Sequence, residues 1–536
     1  MIPAEGHYPV LIVGAGPSGL MMAAQLLRYG VQPLIIDSKK GPTEQSRALA
    51  VQARSMEIYR QMGLSDKILM QGASALEIKL HQNQQETTFL SLKNIGEGMS
   101  KFPYIQIYEQ SKNERLLLDF LTQNCCPVYW NTTLKSLTET TNCTESLLAH
   151  ENTETKLTCD WLIGADGARS LVRKSLGIPF NGDTYQQKFF LADLQLETGL
   201  DQNQVNLFLG DASFNAFFPM NGKGRFRLIG RLPQQLKEDT NFEAVFLDLQ
   251  KQLPFSLKVN SCNWFTTYNL HHRMAGQFTS KKCFLIGDAA HVHSPVGGQG
   301  MNTGLQDAYN LAWKLAGVIK NKMRPEILLS YAEERMPVAR RLLKTTDRAF
   351  TILISNNFLV KAFRKLLAKY LTGVLWKKQK FRKSFFKMVS QIGINYRNSK
   401  INLHLSKAEN IKAGDRLPFI NIFDEKKQQE TDLHEWCNKP GFTFIALGNL
   451  KENDLFNLAR WITQNYPQQL NFFYLPFSVK NKSVFDCFEL KEDQHKAIIV
   501  RPDMYIGYLN DTVHVDLIDQ YLEQIAGCTK SHKKQA

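Results

Sequence analysis

The chain lacks several features that would assign it to a simple class of protein. The apolar run from Phe350 to Val360 is shorter than the roughly 20 residues that a membrane-spanning helix needs. The nine cysteines form no Cys-x-x-Cys pair and show no spacing typical of metal ligands. The apolar N-terminal stretch has no basic segment before it, which argues against a secretory signal. We therefore expect no metal site, no transmembrane segment, reduced thiols and a cytoplasmic location.

Size and charge set broad limits. The 536 residues are 43% hydrophobic and 21% charged, and they carry a formal net charge of +15. This composition predicts a globular protein of roughly three to four domain-sized units. Many of the basic residues lie between 361 and 387, where they alternate with apolar residues at helical spacing. A solvated helix face explains this segment, and peripheral contact with an acidic membrane surface is the alternative.

Hydrophobic periodicity predicts the order of the elements. The chain opens with a strand at 10–13, a helix at 20–29 and a second strand at 34–37. The later segments are a helix stopped by Gly63, short alternating pieces at 76–100, a helix at 105–121, a strand at 160–164, a mainly antiparallel sheet at about 186–270, a strand and a long helix after Lys282 with helical periodicity to about 400, and a strand–helix alternation from about 412 to 525. The pattern predicts an α/β protein of two interleaved units followed by a separate C-terminal α/β domain.

The first motif is Gly14-x-Gly16-x-x-Gly19, which follows the first strand and opens the first helix. Gly14 permits the tight turn, Gly16 lets the backbone approach a pyrophosphate, and Gly19 allows close packing of helix against strand. The helix N-terminus offers N–H groups and a positive dipole end to phosphate. Asp37, at the end of the second strand, would accept a hydrogen bond from a ribose hydroxyl and disfavours a 2′-phosphate. The motif predicts FAD or NAD and does not choose between them.

Two further motifs place a Gly/Asp pair at the end of an apolar strand, where α/β proteins bind ligands. One contains Asp166–Gly167 and the other Gly287–Asp288. A long helix is expected to begin near Met301, and its N-terminus could face phosphate or the electron-rich pyrimidine edge of a flavin. The glycines that leave backbone N–H groups unobstructed before this helix are Gly297, Gly298 and Gly300.

In this order the three motifs resemble those of the single-component (class A) flavoprotein monooxygenases, a family that includes 4-hydroxybenzoate hydroxylase, phenol hydroxylase and the aromatic polyketide hydroxylases. The resemblance covers roughly residues 8–400 and is most specific over 287–315. It implies a Rossmann-like FAD-binding domain, with a helical extension, interleaved with a mainly antiparallel substrate-side β-sheet domain. The expected bounds are 1–75, 101–185 and 270–400 for the FAD-binding domain, and 76–100 and 186–269 for the middle domain.

The resemblance also implies roles for the matching residues. Those expected at the ADP half of FAD are Gly14, Gly16, Gly19 and Asp37, with Gln110 as a further FAD contact and Arg47 near the flavin and its pyrophosphate. Asp166 belongs to a motif tied to both FAD and NADPH, and Arg169 would contact a phosphate. The residues expected around the flavin are Asp288 on the ribityl chain, Pro295 near the reactive edge, Gly298 and Gly300 before the helix, and Asn302 on the pyrimidine. An ordinary solvated side chain is the alternative for Arg47, Gln110 and Arg169.

The activity that the resemblance implies is hydroxylation of a phenolic or polycyclic aromatic substrate by O2. FAD stays bound, NADPH (or NADH) reduces it transiently, and a flavin C4a-hydroperoxide transfers oxygen to the ring. The partners are then a small aromatic substrate and O2, with no nucleic acid, in a monomer or homodimer. No catalytic base stands out, and His291 and His293 are expected to be structural. An epoxidase or Baeyer–Villiger-type oxygenase on the same scaffold is one alternative, and a non-catalytic flavin-binding regulatory protein is the other.

The middle region should supply the wall of the substrate pocket. The apolar candidates, for which core packing is the alternative, are Phe217, Phe218, Pro219, Met220, Trp264 and Phe265. Arg225, Arg227 or Arg273 could neutralise an acidic substrate or a cofactor phosphate, and the sequence does not decide between them.

The C-terminal region, about 411–528, resembles the thioredoxin-like α/β domain that several of these hydroxylases carry. The matching segments are 414–418 and 500–508, although the family usually has glycine where this chain has Met504. Cys437 stands alone, so two-thiol redox chemistry is not expected there. A role in packing or in a dimer contact is the interpretation that the sequence favours.

Overall fold

The structure is a computed structural model that describes residues 3–45, 48–82, 85–210, 214–233, 235–236, 240–294, 297–354 and 375–531. Its strands, in chain order, are β1 (Gly6–Val13), β2 (Leu34–Ile36), β3 (Ala50–Val51), β4 (Ala73–Ala75), β5 (Glu77–Gln82), β6 (Gln85–Ser91), β7 (Ile105–Ile107), β8 (Val128–Tyr129), β9 (Thr132–Glu139), β10 (Thr144–His150), β11 (Thr153–Gly164), β12 (Phe180–Glu197), β13 (Gln204–Leu209), β14 (Phe214–Pro219), β15 (Arg225–Arg231), β16 (Lys258–Ala275), β17 (Thr279–Ser280), β18 (Cys283–Leu285), β19 (His291–Val292), β20 (Leu403–His404), β21 (Asn421–Asp424), β22 (Gln429–Asp432), β23 (Phe442–Gly448), β24 (Leu470–Leu475), β25 (His495–Val500) and β26 (Ile506–Asn510).

The α-helices, in chain order, are α1 (Pro17–Arg28), α2 (Ala53–Gln61), α3 (Ser65–Gln71), α4 (Gln110–Gln123), α5 (Leu171–Ser175), α6 (Phe242–Gln252), α7 (Gly300–Ile319), α8 (Leu329–Ile354), α9 (Gln379–Val389), α10 (Leu433–Trp436), α11 (Glu452–Asn465), α12 (Lys482–Cys487) and α13 (Val515–Gln520). Single helical turns of other types lie at Gly287–Ala289, Pro325–Leu328, Val479–Asn481 and Tyr521–Ile525. Among the described residues, no helix combines the length and the apolar character needed to cross a membrane.

The first sheet has a parallel centre, in the order β18-β11-β1-β2-β8. Strand β1 lies in the middle, and its residues Val10, Leu11 and Ile12 are fully buried. Helices α1 and α7 pack on each other beside this strand. The continuous apolar sequence of β1 is typical of a parallel strand that is buried on both faces. The carboxyl ends of these strands share one edge, where the Gly14 turn, the Asp166 loop and the Gly287 turn follow β1, β11 and β18.

The second sheet is mainly antiparallel, in the order β19-β16-β12-β15-β14-β13-β5-β6. Among the strands that the structure describes, β13 and β5 form the one parallel pair of this sheet. One face of this sheet packs against α6, through Phe190, Phe217 and Leu228 on the strands. The other face carries Phe218 and Met220, which pack against the small sheet β3-β7-β4 beside the parallel sheet. The second sheet thus has one face toward α6 and one toward the first unit, by which we mean the parallel sheet, the helices packed on it and the small sheet β3-β7-β4.

The C-terminal unit is a five-stranded sheet in the order β20-β26-β25-β23-β24. Polar contacts join it to the first unit: the buried Arg54 donates from Nη2 to the Asp503 carbonyl at 2.7 Å, and the partly buried Arg60 forms a two-pronged ion pair with Asp432 at 2.9 and 2.7 Å. The sheet of this unit begins before the composition change near 412–418, because β20 at Leu403–His404 already pairs with β26. The two units share a polar, partly buried boundary.

Two sequence expectations need correction. The helix predicted at 105–121 begins at Gln110, and the preceding Ile105–Ile107 is a strand. Pairing of this strand with both β3 and β4 outweighs the local helical pattern. Helical periodicity was also expected to reach about 400, but α9 ends at Val389, and Gln391 adopts a left-handed conformation with φ of 63°.

The basic segment 361–387 is described only from residue 375. In this part the lysines are mainly exposed, whereas Phe386 and Val389 of α9 are buried. This is the pattern of a helix with one solvated face. Residues 361–374 lie outside the described residues.

Candidate cofactor and substrate site

Of the three glycines in the Gly14–Gly19 turn, Gly16 is the one that borders open space. Gly14 has φ of 108°, and a Cβ there would collide with the backbone of Ala165. A Cβ at Gly19 would collide with the Gly14 carbonyl oxygen. At Gly16, which precedes α1 with φ of −80° and ψ of −176°, an added Cβ would meet no atom within 4 Å. Gly14 and Gly19 are therefore required for packing, while Gly16 leaves open space at the helix N-terminus.

Asp37 ties this turn to the end of β2. Its Oδ2 accepts a hydrogen bond from the Ala15 N–H at 2.6 Å, and its Oδ1 accepts one from the Lys39 N–H at 2.8 Å. The Lys39 ammonium lies 3.8 Å from Oδ2. Because a carboxylate oxygen can accept two hydrogen bonds, each oxygen retains capacity for a further donor such as a ribose hydroxyl.

Gln110 begins α4 and links two segments near this turn. Its Oε1 accepts from the Ala48 N–H at 3.3 Å, and its Nε2 donates to Glu114 Oε1 at 2.9 Å. Glu114 is buried, and its other oxygen accepts from the Thr43 N–H at 2.8 Å. Sequence reasoning missed Glu114, although an acidic residue one helical turn after Gln110 was a visible signal. Arg47 lies outside the described residues.

The Asp166 loop lies against the Gly14 turn and carries an unsatisfied acceptor. Asp166 Oδ2 accepts from the backbone N–H groups of Leu171 and Val172 at 2.7 and 3.1 Å, which caps α5. Its Oδ1 is buried and has no partner within the described part of the chain. Burial raises the pKa of Asp166, partly offset by hydrogen bonds from the Ser170 hydroxyl and the backbone. Arg169, in the same loop, is exposed.

A cationic group faces this loop from β16. The Arg273 guanidinium donates from Nη2 to the Thr184 hydroxyl at 3.1 Å, and that hydroxyl lies 2.8 Å from His271 Nδ1. Burial lowers the pKa of His271, and the positive charges of Arg273 and Arg169 lower it further. Two guanidinium groups, Arg273 and Arg169, therefore lie near His271 on this side of the Asp166 loop, and such groups suit an anionic ligand.

The Gly287–Asp288 turn is held by buried charges. Asp307 accepts from the Gly287 N–H at 3.1 Å, and its carboxylate also contacts His291 and Arg335, each at 2.7 Å. Burial alone would raise the pKa of Asp307, but the Arg335 guanidinium and His291 outweigh it and lower that pKa. Asp288 itself is exposed. His291 stacks on Phe278 and is buried.

Asn302 holds the glycine-rich segment that leads into α7. Its Oδ1 accepts from the Gln52 N–H at 2.8 Å, and its Nδ2 donates to the Ala50 and Gly298 carbonyls at 2.9 and 2.8 Å. Gln52 Nε2 donates to the Gly297 carbonyl at 2.9 Å. The positive φ angles of Gly297 (81°) and Gly298 (60°) explain why glycine is needed there. Gln52 was not predicted, and Pro295 lies outside the described residues.

The candidate pocket residues separate onto the two faces of the second sheet. Phe218 and Met220 lie on the face toward the first unit, whereas Phe217 is fully buried against α6 on the opposite face with Phe265 nearby. This removes Phe217 from the pocket wall, because neighbouring residues of a strand point to opposite faces. Arg225 lies at the hairpin end, where its Nη1 donates to the Asn221 carbonyl at 3.1 Å.

The residues at this edge fit FAD. Open space at Gly16, spare acceptor capacity on Asp37 and backbone exposed by Gly297 and Gly298 match a dinucleotide that ends in a flavin. Gln52 Oε1, beside the glycine-rich segment, is a buried acceptor without a partner among the described residues. Among the described residues, no three His, Cys, Asp or Glu side chains cluster in a way that could hold a metal ion.

Comparison with known proteins agrees with this geometry. Residues 7–346 match the family described as FAD binding domain. The chain is 32% identical to 6-methylpretetramide 4-monooxygenase of Streptomyces rimosus, over 75% of this chain and 72% of that protein. It is 30% identical to pentachlorophenol 4-monooxygenase of Sphingobium chlorophenolicum, over 76% and 75% of the two chains. Its fold is similar to a crystal structure of the flavin-dependent monooxygenase PieE with FAD and substrate, with a TM-score of 0.81, 20% identity, and 98% and 99% of the chains covered.

Proposed function

The chain belongs to the FAD-binding-domain family of aromatic monooxygenases, and from that premise we propose that it uses NADPH and O2 to hydroxylate a phenolic or polycyclic aromatic substrate by the flavin route that its sequence predicts. The observation that carries the proposal is the meeting of the Gly14 turn, the Asp166 loop and the Gly287 turn at one edge of the parallel sheet, opposite the Phe218 face of the second sheet. Ligands of open α/β sheets bind at this edge.

Each group of residues has its own part in the proposal. The backbone at Gly16 would receive the pyrophosphate, Asp37 the adenosine ribose, and Asp288 the ribityl chain. Asn302 and Gln52 would hold the glycine-rich segment against the ring, since their hydrogen bonds fix its backbone. When bound, FAD supplies the redox chemistry by accepting hydride and activating O2. The protein orients the reactants and excludes water.

We propose that NADPH approaches on the cationic side of the Asp166 loop. Arg169 is exposed there, and Arg273 and His271 stand opposite on β16. Guanidinium groups suit phosphate recognition, because their N–H groups form a planar fork. Asp37 disfavours a 2′-phosphate at the other dinucleotide site, so the two nucleotides would not compete.

The domain assignment belongs to the same proposal: 1–75, 101–185 and 270–400 bind FAD, 76–100 and 186–269 contact substrate, and 411–528 form a thioredoxin-like domain. Three features of the last unit support its assignment. Parallel strands β23 and β24 are joined through α11, the antiparallel pair β25–β26 follows, and α13 comes last. A cytoplasmic location and the monomeric or dimeric state stay predictions.

The proposal is tested by anaerobic mixing of the holoenzyme with NADPH, with and without a panel of phenols and hydroxylated polycyclic aromatics. The visible absorbance of the flavin is followed. We expect at least one aromatic compound to accelerate the bleaching strongly. The proposed hydroxylase should reduce its flavin productively only when its aromatic substrate is bound. Bleaching that no aromatic compound accelerates would contradict a hydroxylase, and bound FAD that NADPH cannot reduce would indicate a non-catalytic flavoprotein.

Replacement of Cys437 by serine should leave turnover within about twofold of wild type. The thiol is buried in the C-terminal unit, and burial raises its pKa to about 12, so it is not a nucleophile at neutral pH. A small loss of stability is expected, since the buried hydroxyl is harder to satisfy than a thiol. The measurement is substrate-dependent NADPH oxidation together with thermal unfolding. A large loss of activity at unchanged melting temperature would show that this thiol takes part in the reaction.

A further inference from the structure

Arg227, on β15, is a buried guanidinium with one unsatisfied edge. Only 1% of the residue is exposed. Its Nε and Nη2 donate to the two carboxylate oxygens of Asp193 on β12, at 2.6 and 2.7 Å. Its Nη1 is buried and makes no hydrogen bond to any described residue. Asp193 thus neutralises the charge of Arg227 but leaves one NH2 group free.

A free NH2 on a buried guanidinium is unfavourable unless something accepts its hydrogen bonds. Water is displaced from the group on folding, and the loss is larger for charged donors than for neutral ones. Nearly all buried polar groups in native proteins find partners, so an exception calls for an explanation, and binding of a ligand is one. Arg227 differs in this from Arg225, whose Nη1 donates to the Asn221 carbonyl at the exposed hairpin end.

The position of Arg227 shows where such a ligand would lie. Arg227 is directly opposite Asp193 on one neighbouring strand and Phe218 on the other, and Asp193 is opposite Trp264. Residues paired across a sheet share a face. Phe218 packs with Leu49, Ala75 and Ile107 of the first unit, so the whole row lies on the face toward the proposed FAD site.

Two partly buried aromatic rings flank the guanidinium. On one side, Phe218 of β14 is paired with Arg227 across the strands. On the other side, the ring centroid of Trp264 lies 5.6 Å from the Arg227 Cζ. Flat apolar surfaces on both sides of a fixed hydrogen-bond donor suit a planar aromatic molecule that carries an oxygen acceptor. The paired geometry with Asp193 holds the donor in place before the ligand arrives.

We propose that Nη1 of Arg227 binds an acceptor oxygen of the aromatic substrate, a keto or carboxylate oxygen in addition to the hydroxyl of the ring. Arg227 is thus a specificity-determining residue, and Asp193 positions it. This inference rests on the proposed function and narrows its substrate class to aromatics with a second oxygen function. Simple phenols and unsubstituted naphthols lack this acceptor and bind more weakly.

The test compares matched aromatic pairs on the oxidised holoenzyme, with binding followed by perturbation of the flavin absorbance. One pair is 2-naphthol and 6-hydroxy-2-naphthoate, and the other is 1-hydroxyanthracene and 1-hydroxyanthraquinone. We expect at least one acceptor-bearing member to bind about 10- to 100-fold more tightly than its partner, the range for a hydrogen bond from a charged donor. In Arg227→Met this preference disappears. The compound without the second oxygen should bind within about threefold of its affinity for wild type, because it makes no hydrogen bond with Arg227 that the substitution could remove.

Arg225→Met is the matched control, since it removes a guanidinium from the same strand and should keep the preference. If Arg227→Met does not fold because Asp193 is left unpaired, Arg227→Met combined with Asp193→Leu removes both partners and is expected to fold. Equal binding of both members of each pair, failure of every acceptor-bearing member to bind, or a preference that survives in Arg227→Met each overturns the proposal. Failure of the proposed function is a separate result, in which the preference is present but no compound accelerates flavin reduction by NADPH.

Discussion

Replacement of Gly16 by alanine should give a folded protein that binds FAD at least about tenfold more weakly than wild type, since loss of a single charge-assisted hydrogen bond is worth roughly 1.5–3 kcal/mol. The backbone angles of Gly16 are open to alanine, and the added Cβ meets no protein atom within 4 Å. The methyl group instead fills the space in which a pyrophosphate would approach the N–H groups at the start of α1.

The FAD content of the purified protein and titration of the apoprotein with FAD measure this effect. Melting temperatures are compared between apoproteins, because loss of a bound ligand lowers stability by mass action alone. Gly199→Ala is the matched control, since its Cβ also meets no atom within 4 Å but the residue lies between β12 and β13, in the second unit. Full FAD occupancy with wild-type affinity in Gly16→Ala would refute the assignment of this turn to the pyrophosphate.

Replacement of Glu334 by glutamine should destabilise the protein by about 3–5 kcal/mol, the range for breaking a buried ion pair on one side. Glu334 on α8 is fully buried and accepts two hydrogen bonds from Arg501, at 2.6 and 2.9 Å, and one from Lys314 at 2.8 Å. Arg501 and Lys314 are also fully buried. Removal of the central negative charge leaves the two cations, Arg501 and Lys314, buried. Asp503 remains, and its carboxylate contacts Arg501 at 2.6 Å.

Denaturant unfolding of both proteins measures this change. The matched control is Glu333→Gln, one residue earlier, because the Glu333 side chain is 37% exposed and its pair with Lys400, at 3.4 Å, lies at the surface. That control should stay within about 0.5 kcal/mol of wild type. Since Arg501 belongs to the C-terminal unit and Glu334 to the first, Glu334→Gln should also expose their boundary to protease. Equal stability of the two variants would contradict the assigned importance of this cluster.

The pH dependence of stability gives an independent check on Glu334. Burial alone would raise the pKa of Glu334, but Arg501 and Lys314 outweigh it and hold that pKa well below its usual range. The unfolded chain therefore takes up this proton first, and the contribution of Glu334 is complete above its unfolded pKa of about 4.3. Wild type should lose this contribution as the pH falls below that value. Glutamine cannot titrate, so the stability gap between wild type and Glu334→Gln should narrow in acid.

Local sequence determined the fold class and much of the proposed cofactor site. The requirement for glycine at Gly14, Gly19, Gly297 and Gly298 arises from the backbone, through a forbidden Cβ or a positive φ angle, and is visible in the spacing of the residues. The end of β2 at Asp37 and the start of α7 likewise follow from local hydrophobic patterns. Such features need only neighbouring residues, so a single sequence carries them.

Contacts between distant segments could not be predicted in this way. A strand pattern shows that Phe217 and Phe218 face opposite sides, but only the packed sheets show that α6 covers one side and the first unit the other. Similarly, Arg225 and Arg227 are equivalent in the sequence. Their surroundings differ because Asp193 and Trp264 come from other strands and enclose only Arg227.

By itself, then, the sequence determined a dinucleotide-binding α/β scaffold, since its glycine motifs are short and each depends on local backbone geometry, and its resemblance to the flavoprotein monooxygenases implied the flavin. Tertiary structure decided which charges are buried. Glu334 and Arg501, 167 residues apart, resemble ordinary surface residues in the sequence and meet with Lys314 inside the molecule. The free edge of Arg227 is of the same kind, because burial and hydrogen bonding depend on the three-dimensional neighbours of a side chain and not on the residues beside it in the chain.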